Sequence, residues 1–210
     1  MWNDRMLGLA MAIRGVPIPV IAKVNGWCMG GGHELALWCD LVIASEKSML
    51  GQTGAKVGAC PTVGATQYLP RIIGERLARE MIFLARRFTA AEAEKIGLIN
   101  KCVPEDKLDE ETLAWCETIK GHSSQTIRMT KKSLNMESDQ LYGSWQQGME
   151  LLAHVWGSEE SLEGMNAFLE GRKPDFQKFR LRNKAALEEY LDGFHRHLNA
   201  PPDMRNFPED

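Results

Sequence analysis

One carboxylate stands directly behind a run of glycines in this chain: Met29-Gly30-Gly31-Gly32-His33-Glu34, inside a longer stretch from Ile18 to Ala44. A glycine triplet lets the backbone turn sharply and approach a ligand with no Cβ in the way. A helix that begins there points its first N–H groups at whatever binds in front. Two chemistries use such a device. A phosphate loop needs Gly-Lys-Ser/Thr to close it, and His33-Glu34 occupies that place. An oxyanion hole needs a backbone N–H to receive the charge that develops on a carbonyl oxygen. A carboxylate at the next turn repels a phosphate but suits proton transfer beside an enolate. The residues therefore favour carbonyl activation. The plain alternative is a tight connection that happens to carry a solvated glutamate.

The elements that must hold these residues can be read from hydrophobic spacing. Ile18 to Val24, preceded by Pro17, is short, apolar and rich in β-branched residues, as a buried strand is. His33 to Asp40 follows as a helix and Leu41 to Ala44 as a second strand. Upstream, residues 2 to 14 have helical spacing that Gly15 ends. Downstream, Ser45 to Ser48 is a turn, and Met49 to Gly54 is a short strand running into a glycine loop. Ala55 to Thr66 is too broken for a strand and too apolar for an exposed linker, which suits a loop packed against a ligand or a partner. Gln67 to Ile73 leads to Gly74, and Glu75 to Ala85 is a helix. Thr89-Ala90-Ala91-Glu92 forms a capping box for another helix that Gly97 stops. A strand over Leu98 to Val103 ends at Pro104.

From residue 105 the pattern is helical: Lys107 to Lys120, Ser124 to Met136, Leu141 to Trp156 and Ser158 to Glu170. Leu141, Trp145, Met149, Leu152 and Trp156 make an apolar stripe, which reads as core, with a subunit interface as the alternative. Lys173-Pro174-Asp175-Phe176 is a stop. A charged helix over Leu181 to Leu198 and a Pro-rich, frayed tail from Ala200 to Asp210 complete the chain.

With 210 residues the chain has length for one domain and a helical appendage. A formal charge of −3 does not advertise nucleic acid or an anionic membrane as a partner. No apolar run approaches the length of a membrane span, and the opening residues do not read as a signal peptide. The five cysteines, at 28, 39, 60, 102 and 116, lack metal-type spacing and sit mostly among apolar neighbours, so reduced, buried thiols in a cytoplasmic protein are expected. No metal cluster is visible, and GxGxxG is absent.

Several motifs in order carry a resemblance. Pro19 to Gly26, the Gly30-Gly31-Gly32-x-Glu34-Leu35-Ala36 run, Cys39-Asp40, Gly51-Gln52, Gly58-x-x-Pro61-x-x-Gly64, Ala90-x-Glu92-Ala93, Gly97-Leu98-Ile99 and the ending at Lys173 to Phe176 together resemble the crotonase (enoyl-CoA hydratase/isomerase) superfamily. The resemblance implies an α/β, crotonase-like (ClpP/crotonase) core of βα units with a C-terminal helical region, acting on acyl-CoA thioesters. It implies that the Gly31 N–H forms half of an oxyanion hole and that Glu34 is the first of two glutamates used in hydration. It also implies that Met29, Gly30, Gly54, Cys60, Pro61 and Thr62 bind substrate.

The second glutamate of hydratases falls at Gly54, so this chain departs from two-carboxylate hydration. The run Gly51 to Gly58 is similar to dihydroxynaphthoyl-CoA synthases, yet those carry an aspartate where Pro61 stands and lack a glutamate at position 34. Glu34, Gly54, Cys60-Pro61-Thr62 and the long helical tail together most resemble the 6-oxocyclohex-1-ene-1-carbonyl-CoA hydrolases of anaerobic benzoyl-CoA degradation. Those enzymes add water to a conjugated cyclic thioester and then open the ring hydrolytically. His33 is read as a packed or capping residue and Cys60 as pocket wall, with a role in the second water delivery as the alternative for each.

No cofactor is implied beyond CoA as part of the substrate, and no metal. A homo-oligomer, trimer or hexamer, is implied, with the helices after residue 105 at its interfaces. Three regions are expected: an α/β core over 1–104, lacking the family's early strands and its second oxyanion donor; a helical region over 105–176; and an extension over 177–210. A core so shortened is expected to need a partner chain for full catalysis. A non-catalytic assembly module is the competing class.

Overall fold

Pro17 and Pro19 bend the chain out of a first helix, α1 (Trp2–Gly15), into a first strand, β1 (Ile21–Val24). The strand is shorter than expected because Pro19 has no N–H to give a ladder, and Ile18 is left 62% exposed. In the computed structural model, which describes residues 2–198, there follow β2 (Trp27–Met29), α2 (Gly31–Trp38), β3 (Leu41–Ser45) and β4 (Met49–Gly51). The tail expected from Ala200 lies outside the described residues. The chain continues with α3 (Ala65–Ile73), α4 (Glu75–Phe83), β5 (Arg87–Thr89), α5 (Ala90–Lys95) and β6 (Lys101–Val103). Five helices close it: α6 (Leu108–Lys120), α7 (Ser124–Asp139), α8 (Tyr142–Val155), α9 (Glu159–Leu169) and α10 (Gln177–Leu198).

The strands form two small sheets. In one, β1, β3 and β6 run parallel, with Ile21 opposite Leu41 and Ile43 opposite Lys101. In the other, β2 and β4 are parallel and β5 is antiparallel to β4. Neither β2 nor β5 is read as a strand from the sequence: β2 runs straight into the glycine turn, and β5 lies between a helix and the capping box at Thr89. The capping box at Thr89 is complete, its hydroxyl accepting the Glu92 N–H at 3.2 Å while the Glu92 carboxylate accepts the Thr89 N–H at 2.8 Å.

Burial of α2 and α3 against each other makes the centre. Trp38, Tyr68 and Leu69 are buried, and Trp145 from α8 stacks on Trp38 with ring centres 4.3 Å apart. Helix α3 tolerates Pro70 because Leu69 and Ile73 are buried on either side of it, and packing outweighs the one lost backbone bond. The stripe on α8 splits: Trp145, Met149 and Leu152 are buried, while Trp156 is 48% exposed. The cysteines correct one expectation. Only Cys28 is buried; Cys39, Cys60, Cys102 and Cys116 are half-buried, and all five are free.

Two features fix the C-terminal helices to the core. The Lys131 ammonium on α7 is buried and its three protons meet three acceptors: the Ile13 and Ile18 carbonyls, each at 2.9 Å, and the Asp40 carboxylate at 2.7 Å. On α9, a Cβ added to Gly164 would stand 2.4 Å from the Val57 carbonyl carbon, and one added to Gly58 would stand 2.7 Å from the Ser161 Cα. Helix α9 therefore lies directly on the loop that follows β4. Gly164→Ala is expected to lower the unfolding free energy by a net of about 2 kcal/mol, seen as a lower urea midpoint, because the backbone clash exceeds the roughly 1 kcal/mol of helix propensity that alanine adds. An unchanged midpoint would show that α9 can move away without cost.

Candidate active site

The two glycine-bearing loops meet because β2 and β4 are parallel neighbours. Met29 pairs with Gly51, and the Gly30 N–H extends the ladder to the Gly51 carbonyl at 3.0 Å, so the chain leaves both strands side by side. Gly30 then adopts φ 52°, ψ −121°, a backbone region that side-chain-bearing L residues avoid. That turn starts α2 at Gly31, two residues before the expected start at His33. No side chain caps the helix, and the amides of its first turn have no intrahelical acceptor. A Cβ added at Gly31 or Gly32 would meet no protein atom within 4 Å, so the approach to those amides is open.

Glu34, one turn along α2, is 4% exposed. Its Oε1 accepts the Val63 N–H at 2.9 Å. Burial pushes its carboxyl up to about 7, against the opposing pull of backbone hydrogen bonds from Val63 and Ala65. Acid and carboxylate forms therefore coexist near neutral pH, as a group that both takes and returns a proton requires. Four residues on, the Trp38 indole Nε1 donates to the Val63 carbonyl at 3.1 Å. One face of α2 thus holds both backbone groups of Val63. Gly64 turns at φ 90°, where a Cβ would stand 2.9 Å from the Trp38 indole nitrogen.

Glu34 and Gly31 border a cavity of about 250 Å³. Met29 and Gly30 flank them, Gln52, Thr53 and Gly54 come from the end of β4, and Val57, Ala59, Cys60, Pro61 and Val63 from the following loop. Leu152 on the last turn of α8, and Trp156 just after it, close the far side. The volume lies below the roughly 300–1,000 Å³ of sites that enclose whole small molecules, and it suits an acyl group. Of the residues expected to bind substrate, Met29, Gly30, Gly54, Cys60 and Pro61 are on the wall. Thr62 is not: it packs against Gly148 of α8, where an added Cβ would be 3.2 Å from the Thr62 carbonyl. Leu152 and Trp156 were visible in the sequence only as the end of a core-like stripe.

Two residues with an open alternative role can now be placed. His33 is buried behind the cavity, its Nδ1 3.0 Å from Gln52 Nε2, and burial lowers its pKa to about 4. Cys60 is on the wall, and burial pushes its thiol up, so it remains a thiol rather than a nucleophilic thiolate. Gly54 explains the single carboxylate. A Cβ at this position would lie 2.5 Å from the Ala59 carbonyl oxygen, so this backbone admits no side chain there. Gly54→Glu is expected to lower thermal stability without adding turnover; a gain in hydration of crotonyl-CoA would show that the loop can rearrange.

A larger groove of about 580 Å³ lies between the β1 side of the sheet and helices α6 and α7, lined by residues that include Ile18, Ile21, Ile119 and Ile127. Among the described residues, no carboxylate lines it.

The model of the family described as enoyl-CoA hydratase/isomerase matches residues 2–180. This chain belongs to that family. Its fold is accordingly crotonase-like α/β, with small parallel and mixed sheets followed by helices. Similar solved structures include an enoyl-CoA hydratase from Mycobacterium avium subsp. paratuberculosis K-10, at 29% identity and a TM-score of 0.80, matching 83% of this chain and 71% of that one. A methylmalonyl-CoA decarboxylase in complex with 2-nitronate-propionyl-CoA matches at 30% identity and a TM-score of 0.73, over 83% and 68% of the two chains. A monofunctional enoyl-CoA isomerase from M. smegmatis matches at 36% identity and a TM-score of 0.60, over 64% and 63%. Crotonase-like chains so similar to this one thus carry three different reaction names. Among the described residues of this family member, no helix is long and apolar enough to cross a membrane, and no His/Cys/Asp/Glu group is arranged to hold a metal.

Proposed function

We propose that this chain is an acyl-CoA hydratase and hydrolase that adds water to a conjugated cyclic enoyl-CoA, of the 6-oxocyclohex-1-ene-1-carbonyl-CoA type, and then opens the ring. The observation that carries the reading is Glu34: a buried carboxyl poised near neutral pH, beside the Gly31 amide, in a cavity with no second carboxylate on its wall among the described residues. In the first step the Glu34 carboxylate takes a proton from water, whose oxygen bonds to the β-carbon. The electron pair moves through the α-carbon to the thioester oxygen, where the Gly31 N–H receives the charge. Glu34 then returns its proton to the α-carbon.

The second step reuses the same parts. Water, activated again at Glu34, adds to the ring ketone. The bond between that carbon and the α-carbon breaks, and its electron pair again becomes a thioester enolate before the α-carbon is protonated. The product is a ring-opened hydroxy acid still joined to CoA. Both steps place charge on one oxygen, so one donor and one carboxyl serve twice. The alternatives, simple hydration of an enoyl-CoA or lyase chemistry of the dihydroxynaphthoyl-CoA synthase kind, use the same enolate. A buried carboxyl beside an open amide also favours an enzyme over a non-catalytic assembly module, which has no use for either.

Exposed apolar side chains on the late helices, among them Leu134, Met136 and Phe168, support a homo-oligomer, and the free thiols support a cytoplasmic site of action. The test is turnover of 6-oxocyclohex-1-ene-1-carbonyl-CoA by this chain and by a version extended by whatever coding sequence lies upstream, followed by mass spectrometry, with crotonyl-CoA as competitor. Gain of two waters with ring opening is expected. Hydration of crotonyl-CoA alone would reduce the protein to an ordinary hydratase, and CoA-dependent thermal stabilisation without turnover would leave the assembly module.

A further inference from the structure

The peptide unit joining Gly30 to Gly31 carries two groups that point in opposite directions: the Gly30 carbonyl and the Gly31 N–H, held in one plane by the partial double bond. Whatever fixes the first aims the second. The Gly30 carbonyl accepts the Glu34 N–H at 2.9 Å and lies 3.4 Å from the Gln52 carboxamide nitrogen. Gln52 is 1% exposed, and the same nitrogen is 3.0 Å from His33 Nδ1. When that nitrogen gives one proton to each acceptor, the imidazole proton is on Nε2, which has no hydrogen-bond partner among the described residues, and Nδ1 offers its lone pair. Burial favours the uncharged ring, which leaves that lone pair available throughout the neutral range.

We propose that Gln52 and His33 are positioning residues that lock the Gly30–Gly31 peptide plane and so aim the Gly31 amide at the thioester oxygen. The proposal rests on the acyl-CoA reading above. A glycine visits both hands of the Ramachandran map at little cost, so this plane can flip unless its carbonyl is held. A flipped plane would present a carbonyl dipole to the developing oxyanion. The helical bond from Glu34 restrains the carbonyl from within α2, and Gln52 restrains it from the end of β4, across the junction of the two loops. A carbonyl that accepts hydrogen bonds also makes the N–H of the same peptide a better donor.

The test uses a saturated acyl-CoA labelled with 13C at the thioester carbon, which binds but cannot add water, together with steady-state kinetics on the reactive substrate. The unaltered protein is expected to move the carbonyl resonance downfield. Gln52→Leu and His33→Leu are expected to lose most of that displacement and about tenfold in kcat, with KM held within about twofold. His33→Gln, whose side-chain oxygen can accept from Gln52, is expected to recover both. Full displacement and kcat in the leucine variants would overturn the proposal, as would equal loss in His33→Leu and His33→Gln. If Gln52→Leu does not fold, the two His33 variants decide. No displacement in the unaltered protein would overturn the acyl-CoA reading itself.

Discussion

Glu34→Gln is expected to lower kcat by about 10²- to 10⁴-fold, the range for loss of a positioned acid–base group. Glutamine keeps the volume and an oxygen for the Val63 N–H, so the loop stays anchored while proton transfer is lost. In the unaltered protein kcat/KM is expected to rise with pH through about 7, since water is activated by the carboxylate form. The variant's residual rate should be flat over the same range. Stability should move the other way. The folded-state pKa of about 7 lies above the ordinary value of 4.5, so Glu34 supports folding fully below pH 4.5 and that support is lost as pH rises through 7. Glutamine at this position is therefore expected to raise stability at pH 8 by about 2–3 kcal/mol and to change it little at pH 4. Urea denaturation at the two pH values measures the difference. A variant that is inactive and also less stable at pH 8 would mean that Glu34 is structural.

Gly31→Pro is expected to cost about 10²- to 10³-fold in kcat with little change in KM, as removal of an oxyanion donor does. Proline is well tolerated at the first position of a helix, which is where Gly31 stands. The preceding Gly30, at φ 52° and ψ −121°, has the mirror image of the extended conformation that residues before proline prefer, which only glycine adopts easily. The substitution thus deletes one N–H with little disturbance to the turn. Gly31→Ala is the control: it keeps the amide and adds a methyl that meets no protein atom within 4 Å. A proline variant as active as the unaltered protein would place the donor elsewhere.

The candidate groups were more legible in the sequence than the cavity that they line. Glu34 and the glycine triplet announced themselves because backbone approach and a lone carboxylate leave traces in residue type. The capping box at Thr89 was readable for the same reason. Strands β2 and β5 were not, because the glycine turn and the capping box that adjoin them dominate the local pattern, although β2 is what brings the triplet beside Gly54. Leu152 and Trp156 were seen but read as core or interface, since a stripe of large apolar residues looks alike whether it faces side chains or a pocket. Thr62 went the other way: it sits in the right loop, but the turn at Val63 and Gly64 directs it toward Gly148. His33 and Gln52 are far apart in sequence, and only the pairing of β2 with β4 makes them partners.

The cavity is assembled from elements that can change independently. Helix α2 and the turn before it carry the amide and the carboxyl, whereas the C-terminal end of α8 and the residue after it contribute Leu152 and Trp156. The tryptophan cluster that seats α8 is more than a helical turn further back, at Trp145. Substitutions at 152 and 156 can therefore reshape the cavity while Glu34, the Gly31 amide and the helix's anchorage stay as they are. A lineage built this way can try new substrates by altering one wall, and similar chains named for hydration, decarboxylation and isomerisation are the kind of diversity such a division of labour permits.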